Sequence, residues 1–407
     1  MEVNGSTLEG LLIRLSLAIE DLSEGDIEPS TIPYTLLQLL DIAVEHRASL
    51  LHLNVGSPPM LRINDRLVPI GEDAINRSDC RRLLSSILSR EQKQFLYSGN
   101  EIEMCFPAAG TGFRVNVYME RGSMSAAIRR LRSDIPKIEN LGFLGTAVHE
   151  ALSETSGLIV LTGTPKCGKI NTLAALLSHI NSSRSARIIS LEQPIQFWHH
   201  NKMSTIIQRE VGIDTESFAR GVQQAVLQDP DILALTDLPD RETAEFVIRA
   251  AAGGHLVIAV LDASSSVRAL ERLLSTFPSQ NDARVISTLA SSLRTVICQT
   301  LVRRADGRGF IPAFEVLVNT EEVSRKIRND QLEELHWIMR NTGMQTLGTS
   351  LAKMIDANLV TREEAEQYIE DDDEIEMQGG GEWGDMTAGS GSDNEGGDDD
   401  TPLMAWL

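Results

Sequence analysis

Aromatic residues, cysteines and long apolar runs are all scarce in this sequence of 407 residues. Aromatic side chains make up 4% of it, and its four cysteines (Cys80, Cys105, Cys167 and Cys298) include no C-x-x-C pair. This spacing excludes a disulfide scaffold or a structural zinc site as the organising principle and favours a reducing compartment. No stretch approaches the ~18 uninterrupted apolar residues of a membrane span. The first residues also lack the basic, apolar and small-residue order of a secretory signal.

Positive charge is outnumbered as well, since the formal net charge is −21. An acidic chain of this kind is a poor candidate for nonspecific nucleic-acid binding, and we expect no nucleic-acid partner. Residues 370–400 hold 13 acidic residues and no Lys or Arg, which leaves −8 for the rest of the chain. This Gly- and Ser-rich segment predicts a disordered tail over 370–407. Its apolar end, Pro402–Leu407, is either a short docking peptide or an incidental chain end.

Regular elements are expected along most of the remaining chain. Apolar spacing over 7–23 predicts an amphipathic helix behind Ser6 as N-cap, which suits packing or assembly better than a membrane surface because its polar face is mostly acidic. A linker follows, so residues 1–31 form an extension. Residues 32–135 mix helix and strand signals and predict a small α/β domain. Its expected elements are a helix at Tyr34–His46 and strands at Leu50–Leu53, Met60–Ile63, Leu67–Ile70, Phe113–Tyr118 and Ser125–Arg130.

From residue 136 to 369 strands alternate with helices, which is typical of a parallel sheet. The length of the chain is sufficient for these two domains, each with its own core. The predicted strands are Gly157–Thr162, Arg187–Leu191, Ile232–Thr236 and His255–Leu261. The predicted helices are Lys169–Ile180, Thr215–Leu227 and Arg241–Ala252.

A phosphate-binding loop is predicted between the first of these strands and the first helix. The segment GTPKCGKINT has the spacing G-x-x-x-x-G-K, in which backbone N–H groups surround phosphate oxygens and the lysine reaches the outer phosphates. The predicted ligand residues are Gly163, Thr164, Pro165, Lys166, Cys167, Gly168, Lys169, Ile170 and Asn171. Ile170 stands where Ser or Thr usually ligates magnesium, and Cys167 is most simply a small filler.

The chain resembles the type IV pilus retraction (twitching-motility) branch of the secretion ATPases over about residues 32–368. The resemblance lies in ordered motifs besides the loop. They are LLHLNVGSPPMLRINDRL within Leu36–Ile70, FRVN at Phe113–Asn116, QREVG at Gln208–Gly212, SFAR at Ser217–Arg220, QDPD at Gln228–Asp231, GHLV at Gly254–Val257 and GMQTL at Gly343–Leu347. Such a set disfavours an unrelated P-loop kinase.

This resemblance implies a hexamer of subunits with a PAS-like amino-terminal domain and a RecA-like P-loop domain. ATP would bind between the domains, with Arg114, Arg121 and Arg129 neutralising phosphate charge. The resemblance also implies a location on the cytoplasmic side of the inner membrane, bound to a pilus platform protein. Catalytic roles are expected for Glu192, Asp237 and His255.

Several residues depart from the family pattern at the positions that carry chemistry. Where the family has the acidic box EDPIE, residues Glu192–Gln196 of this chain read EQPIQ. The carboxylate after the Walker B strand is Asp237 instead of Glu. Where the family has LHTN, this chain has LDAS, which includes Asp262. In the EVSRKIRN segment, Ser324 replaces the first arginine of the retraction signature. Together with Ile170, these changes predict a subunit that binds ATP with weak or lost hydrolysis, alone or in mixed rings with an active paralogue. Magnesium would then lack its usual hydroxyl ligand, and an active hexameric retraction motor is the alternative.

Overall fold

The computed structural model describes residues 29–142, 144–277 and 282–369. The predicted amino-terminal helix and the acidic tail lie outside these residues. These described residues divide into two compact units, one formed by those up to Asp134 with Ile195–Trp198, the other by those within Ile135–Pro194 and from His199 to residue 369.

The first unit is built on a six-stranded sheet of order β3-β2-β1-β6-β5-β4, in which every neighbouring pair is antiparallel. Its strands are β1 (Leu50–Leu53), β2 (Met60–Ile63), β3 (Arg66–Pro69), β4 (Ile102–Ala108), β5 (Thr111–Glu120) and β6 (Ser123–Arg130). Its helices are α1 (Leu36–Glu45), α2 (Arg77–Ser85) and α3 (Arg90–Tyr97). Alternation along β5 places Phe113, Val115 and Val117 in the core with the buried leucines of α1.

Asp79 anchors the start of this unit to helix α2. Its carboxylate is fully buried and accepts hydrogen bonds from the Ser30 hydroxyl (2.6 Å), the Thr31 hydroxyl (2.6 Å) and the Arg82 guanidinium (3.0 Å). Burial by itself raises the pKa of Asp79, but these hydrogen bonds outweigh burial and hold the pKa well below its ordinary value. The ionised carboxylate therefore fastens the segment before α1.

The second unit contains a seven-stranded sheet of order β13-β12-β7-β11-β10-β8-β9. All neighbouring strands are parallel except β12 and β13. The strands are β7 (Gly157–Gly163), β8 (Arg187–Glu192), β9 (Thr205–Glu210), β10 (Ile232–Leu235), β11 (Leu256–Asp262), β12 (Leu293–Arg303) and β13 (Phe310–Val318).

Ten α-helices of the second unit lie among the described residues, and two apolar clusters pack around this sheet. The helices are α4 (Thr146–Ser153), α5 (Lys169–Ser183), α6 (Phe218–Val226), α7 (Arg241–Ala252), α8 (Ser266–Ser275), α9 (Ala283–Ser292), α10 (Glu321–Arg328), α11 (Leu335–Asn341), α12 (Leu347–Asp356) and α13 (Arg362–Ala365). Alternate residues of β7 point to opposite faces, so Leu158 and Val160 join one cluster while Ile159 and Leu161 join the other. The sheet is therefore covered on both faces.

The mixed α/β fold with two sheets is confirmed, while the PAS-like character of the first unit stays a prediction. Thirteen α-helices and strands among the described residues were not predicted: α2, α3 and β4 in the first unit, and β9, β12, β13, α4 and α8–α13 in the second. Helix α6 begins at Phe218 instead of Thr215, because the Ser217 side chain caps it by accepting from the Arg220 N–H.

Candidate functional site at the carboxyl edge of the parallel sheet

The loop between β7 and α5 takes the shape that its glycines allow. Gly163 has φ +152°, Lys166 φ +66° and Gly168 φ +86°, and α5 begins at Lys169 immediately after Gly168. A Cβ atom at Gly163 would lie 2.4 Å from the Gln299 carbonyl oxygen and 2.5 Å from the Cys167 sulfur. Only glycine therefore fits position 163. The first turn of α5 carries no acidic residue, so its N-terminal N–H groups keep their preference for an anion.

Gln299 supports this loop from the neighbouring strand β12, where it is paired with Gly163. Its side chain is fully buried and donates from Nε2 to the Cys167 carbonyl (2.6 Å). Its Oε1 accepts from the Thr172 hydroxyl on α5 (2.5 Å). The amide thus connects the loop with the helix behind it. Sequence reasoning missed Gln299, since its 132-residue separation from Cys167 leaves no local signal.

Of the two lysines in the loop, Lys166 is exposed and Lys169 is buried, with 7% of its surface exposed. Its ammonium donates to the carbonyl oxygens of Gly163 (3.0 Å) and Thr164 (2.8 Å). It also forms an ion pair with the Asp262 carboxylate at 2.8 Å. Asp262 ends β11 and is paired with Gly163. The register of the two strands therefore places a carboxylate directly beside the loop.

Asp237 follows β10 at the same edge, and its carboxylate accepts a hydrogen bond from the Leu238 N–H (2.8 Å). Desolvation raises the pKa of Asp237 above its ordinary value against the opposing effect of that hydrogen bond, and the nearby Asp262 carboxylate adds to the rise. Arg272 of α8 donates to the Asp262 carbonyl oxygen and lowers the pKa of Asp237 in turn. Sequence reasoning named Asp237 but missed Arg272.

Glu192 ends β8, also at the carboxyl edge, and is 6% exposed. It accepts from the Ser190 hydroxyl (2.7 Å) and the Gln208 side-chain amide (2.8 Å). Its strand neighbour in the register is Glu210, the buried last residue of β9. The two expected catalytic carboxylates, Glu192 and Asp237, thus follow adjacent strands, as parallel strands require.

The residues present do not fit a resident magnesium ion. Ile170 offers no oxygen ligand and packs its side chain against the apolar cluster that contains Leu173. Within the described ranges, no group of three or more His, Cys, Asp or Glu residues is placed to hold a metal. The neighbouring Cys167 is also no thiolate ligand, because burial raises the pKa of its thiol more than Lys169 lowers it. The donor set instead fits phosphate, through backbone N–H groups and Lys169.

His255 lies far from this edge. It precedes β11 at the amino end, and its Nδ1 is 2.7 Å from the Pro230 carbonyl oxygen. The seven residues from His255 to Asp262 span about 23 Å of strand at ~3.3 Å per residue. The structure therefore brings Glu192 and Asp237 to the loop edge of their sheet, but it does not bring His255 there.

The three arginines expected to contact phosphate belong to the first unit, and they do not converge within it. Arg114 on β5 and Arg129 on β6 are paired opposite each other. Arg114 forms an ion pair with Glu103 and donates to the Ile195 carbonyl oxygen (3.4 Å). Arg121 lies in the β5–β6 turn, about 23 Å of strand from Arg114. One phosphate group cannot contact all three arginines of a single subunit.

A glycine-rich loop joining a buried parallel strand to a helix, with a lysine at its end, defines a P-loop α/β protein. The model of the family described as type II/IV secretion system protein matches residues 39–309. The chain therefore belongs to this family. Among the described residues, no helix has the length and apolar character needed to cross a membrane.

Relatives and solved structures agree with this assignment. The type IV pilus retraction ATPase PilT of Pseudomonas aeruginosa is 31% identical over 336 residues, which cover 82% of this chain and 97% of that protein. The protein YggR of Escherichia coli is 34% identical over 310 residues, covering 76% and 93%. The crystal structure of the pilus retraction motor PilT with bound ADP superposes with a TM-score of 0.69 at 32% identity and covers 83% of this chain and 98% of that one. The resemblance to pilus retraction ATPases is thereby confirmed.

Proposed function

We propose that this chain is a nucleotide-binding subunit of a pilus-retraction or secretion type of assembly, with weak or lost hydrolysis, acting in pilus-linked motility or its regulation. The loop from Gly163 to Asn171 would hold the phosphates of ATP or ADP. Three features support binding: the loop shape that Gly163 and Gly168 allow, the N-terminus of α5, and the buried Lys169 ammonium.

One observation carries the second half of the proposal: the side chain after the loop lysine is Ile170, which is half-buried and packs against an apolar cluster. A nucleotide bound here would keep its lysine but lose the hydroxyl that usually fixes magnesium between the outer phosphates. Metal placement contributes directly to neutralising the charge that develops in phosphoryl transfer. Loss of this ligand lowers the rate of cleavage more than it lowers the affinity for nucleotide.

An active hexameric retraction motor is the second candidate. It is favoured by Glu192 and Asp237, two carboxylates that remain at the loop edge of the sheet. Asp237 is one methylene shorter than glutamate, and a displacement of about 1 Å in the group that orients a water can cost ~100-fold in rate. A raised pKa makes Asp237 a stronger base once ionised.

The assembly and its location belong to the same proposal. We place the chain in a homo-hexamer, or in a mixed hexamer with an active paralogue, at the cytoplasmic side of the inner membrane against a pilus platform protein. The proposal includes four parts of the chain: an extension (1–31), the PAS-like domain (32–135), the RecA-like domain (136–369) and the tail (370–407). The tail would contact a further partner. In such a ring, Arg114, Arg121 and Arg129 of different subunits could serve different sites.

Nucleotide titration of the full chain tests the proposal. Fluorescent ADP should bind saturably to the wild type and should lose at least tenfold in affinity in Lys169→Ala, because the buried ammonium is the main cation of the loop. Lys353→Ala removes an exposed lysine near the end of α12 and serves as the matched control, with unchanged affinity. Equal affinities of the wild type and Lys169→Ala would refute nucleotide binding at this loop.

A further inference from the structure

The carboxylate of Asp262 lies where the phosphate loop needs positive charge. It is 2.8 Å from Lys169 Nζ, and the other oxygen acceptors of that ammonium are the carbonyls of Gly163 and Thr164, with the Cys167 sulfur more distant at 3.8 Å. An ammonium has three N–H donors, and these three acceptors use all of them. Asp262 is therefore the anionic partner of Lys169, and a phosphate oxygen that binds the lysine must displace one of these three acceptors.

The position of Asp262 is fixed by the sheet. It ends β11, and its pairing with Gly163 puts it one strand away from the start of the loop. The backbone is held in addition by Arg272, which donates to the Asp262 carbonyl oxygen, and by the Ala263 N–H, which donates to the Gly163 carbonyl oxygen (3.3 Å). The Asp262 backbone cannot move away from the loop without moving strand β11, whereas rotation of its side chain remains open.

A second carboxylate adds to the negative charge on this side of the loop. Asp237 follows the next strand, β10, and its pKa is raised by desolvation and, to a smaller extent, by Asp262. The cation that opposes the two carboxylates besides Lys169 is Arg272, whose charge lowers the pKa of Asp237. The edge beyond Lys169 thus carries two carboxylates, whereas the α5 N-terminus carries none in its first turn.

The phosphate groups of a nucleotide would occupy defined positions between the α5 N-terminus and the carboxylates beyond Lys169. In a P-loop the backbone N–H groups and the helix N-terminus surround the inner phosphates, while the lysine contacts the β and γ phosphates. The α and β phosphates of a bound nucleotide would therefore lie over the α5 N-terminus, with the β phosphate contacting Lys169 from the side of the loop carbonyls. A terminal γ phosphate would lie at Lys169 and face the Asp262 carboxylate, which repels it.

We propose that Asp262 is a specificity-determining residue that makes this loop bind nucleoside diphosphates in preference to triphosphates. The inference rests on the proposed function, because it concerns the same loop. A β phosphate can take the place of the Gly163 or Thr164 carbonyl oxygen at Lys169, so the ion pair with Asp262 survives when the loop holds a diphosphate. A γ phosphate would have to displace the Asp262 carboxylate itself.

Competition between ADP and ATP on the full chain tests this inference. Affinities for both are measured in EDTA, so that the phosphates keep their full charge, with the wild type and the neutral variants Asp262→Asn and Asp262→Ser. We expect the wild type to prefer ADP by about tenfold, and both neutral variants to reduce this preference to about twofold by binding ATP more tightly. Asp262→Glu retains the charge and should keep most of the preference. Asp356→Asn removes an exposed carboxylate on α12, which packs against β13 two strands from β7, and should change nothing.

The outcomes separate the two claims. If all proteins bind ADP and ATP with the same ratio as the wild type, the role of Asp262 is refuted while nucleotide binding at the loop stands. If the ratio changes equally in Asp356→Asn, the effect is one of net charge, and the inference is again refuted. If neither the wild type nor any variant binds a nucleotide, both the inference and the proposed function fail.

Discussion

Replacement of Gln299 by leucine should weaken the loop and the fold together. The two side chains are similar in volume, but leucine cannot donate to the Cys167 carbonyl or accept from the Thr172 hydroxyl. Both groups would be left without these partners in the interior, and an unsatisfied buried polar group costs about 1–3 kcal/mol. We therefore expect Gln299→Leu to lower the free energy of unfolding by about 3 kcal/mol. Affinity for nucleotide should fall with it, since the Cys167 peptide forms part of the loop.

Equilibrium urea denaturation, with a double-mutant cycle, measures this effect. Thr172→Val removes the hydroxyl that Gln299 accepts from, so the two substitutions should be less than additive by about 1 kcal/mol. Gln223→Leu changes an exposed glutamine of α6 and should cost less than about 0.5 kcal/mol. Full additivity of Gln299→Leu and Thr172→Val, or a loss no larger than that of Gln223→Leu, would refute the reasoning that Gln299 supports the loop.

Three further substitutions have defined outcomes. Ile170→Ser should strengthen magnesium-dependent nucleotide binding, because serine adds an oxygen ligand. Ile170→Ala loses the same apolar contacts without gaining an oxygen and is the control. If calorimetry finds the same magnesium dependence in both variants, position 170 does not control the metal. Gly163→Ala should lower the free energy of unfolding by at least ~3 kcal/mol, because its methyl group would clash with the Gln299 carbonyl. Gly254 is also at positive φ but in open space, so Gly254→Ala should cost about 1 kcal/mol in the same urea assay. Similar losses in the two variants would contradict the clash. Because the pKa of Asp79 is lowered in the folded state, its contribution to stability is present above the ordinary pKa of about 4 and is lost as pH falls toward the folded-state pKa. Asp79→Asn should therefore cost on the order of 3 kcal/mol of unfolding free energy at pH 7, and this cost should shrink below pH ~4. A cost independent of pH between about 7 and 2 would contradict this assignment.

Patterns within a single element were readable from the sequence. The continuous apolar runs at Gly157–Thr162 and Ile232–Thr236 predicted buried parallel strands, and the structure has β7 and β10 there. Strand β9 was missed because Gln208, Arg209 and Glu210 make half of it polar, so its sequence shows no apolar run that would indicate pairing with β8. A strand at the edge of a sheet needs no continuous apolar run, so its sequence resembles a loop.

Contacts across strands explain what the sequence could not show at the site. The loop spacing predicted Lys169, but its ionic partner Asp262 is 93 positions away and was noted only as the absence of a histidine. Gln299 and Arg272 were missed for the same reason, since the register between β7, β11 and β12 brings them to the loop. Conversely, His255 was grouped with the catalytic residues by resemblance, although it lies at the amino end of β11. The predicted strand His255–Leu261 already put His255 at an amino end, opposite the loop, and the assignment by resemblance did not take this into account.

The central claim is that the loop still binds nucleotide while cleavage is weak or lost. Single-turnover cleavage, measured as total labelled phosphate after acid quenching with the full chain in excess over γ-labelled ATP and magnesium present, tests it most directly because product release cannot mask the chemical step. The account predicts that bound ATP dissociates intact many times for each phosphate released. Cleavage of most bound ATP within one binding event, abolished by Lys169→Ala, would contradict the account.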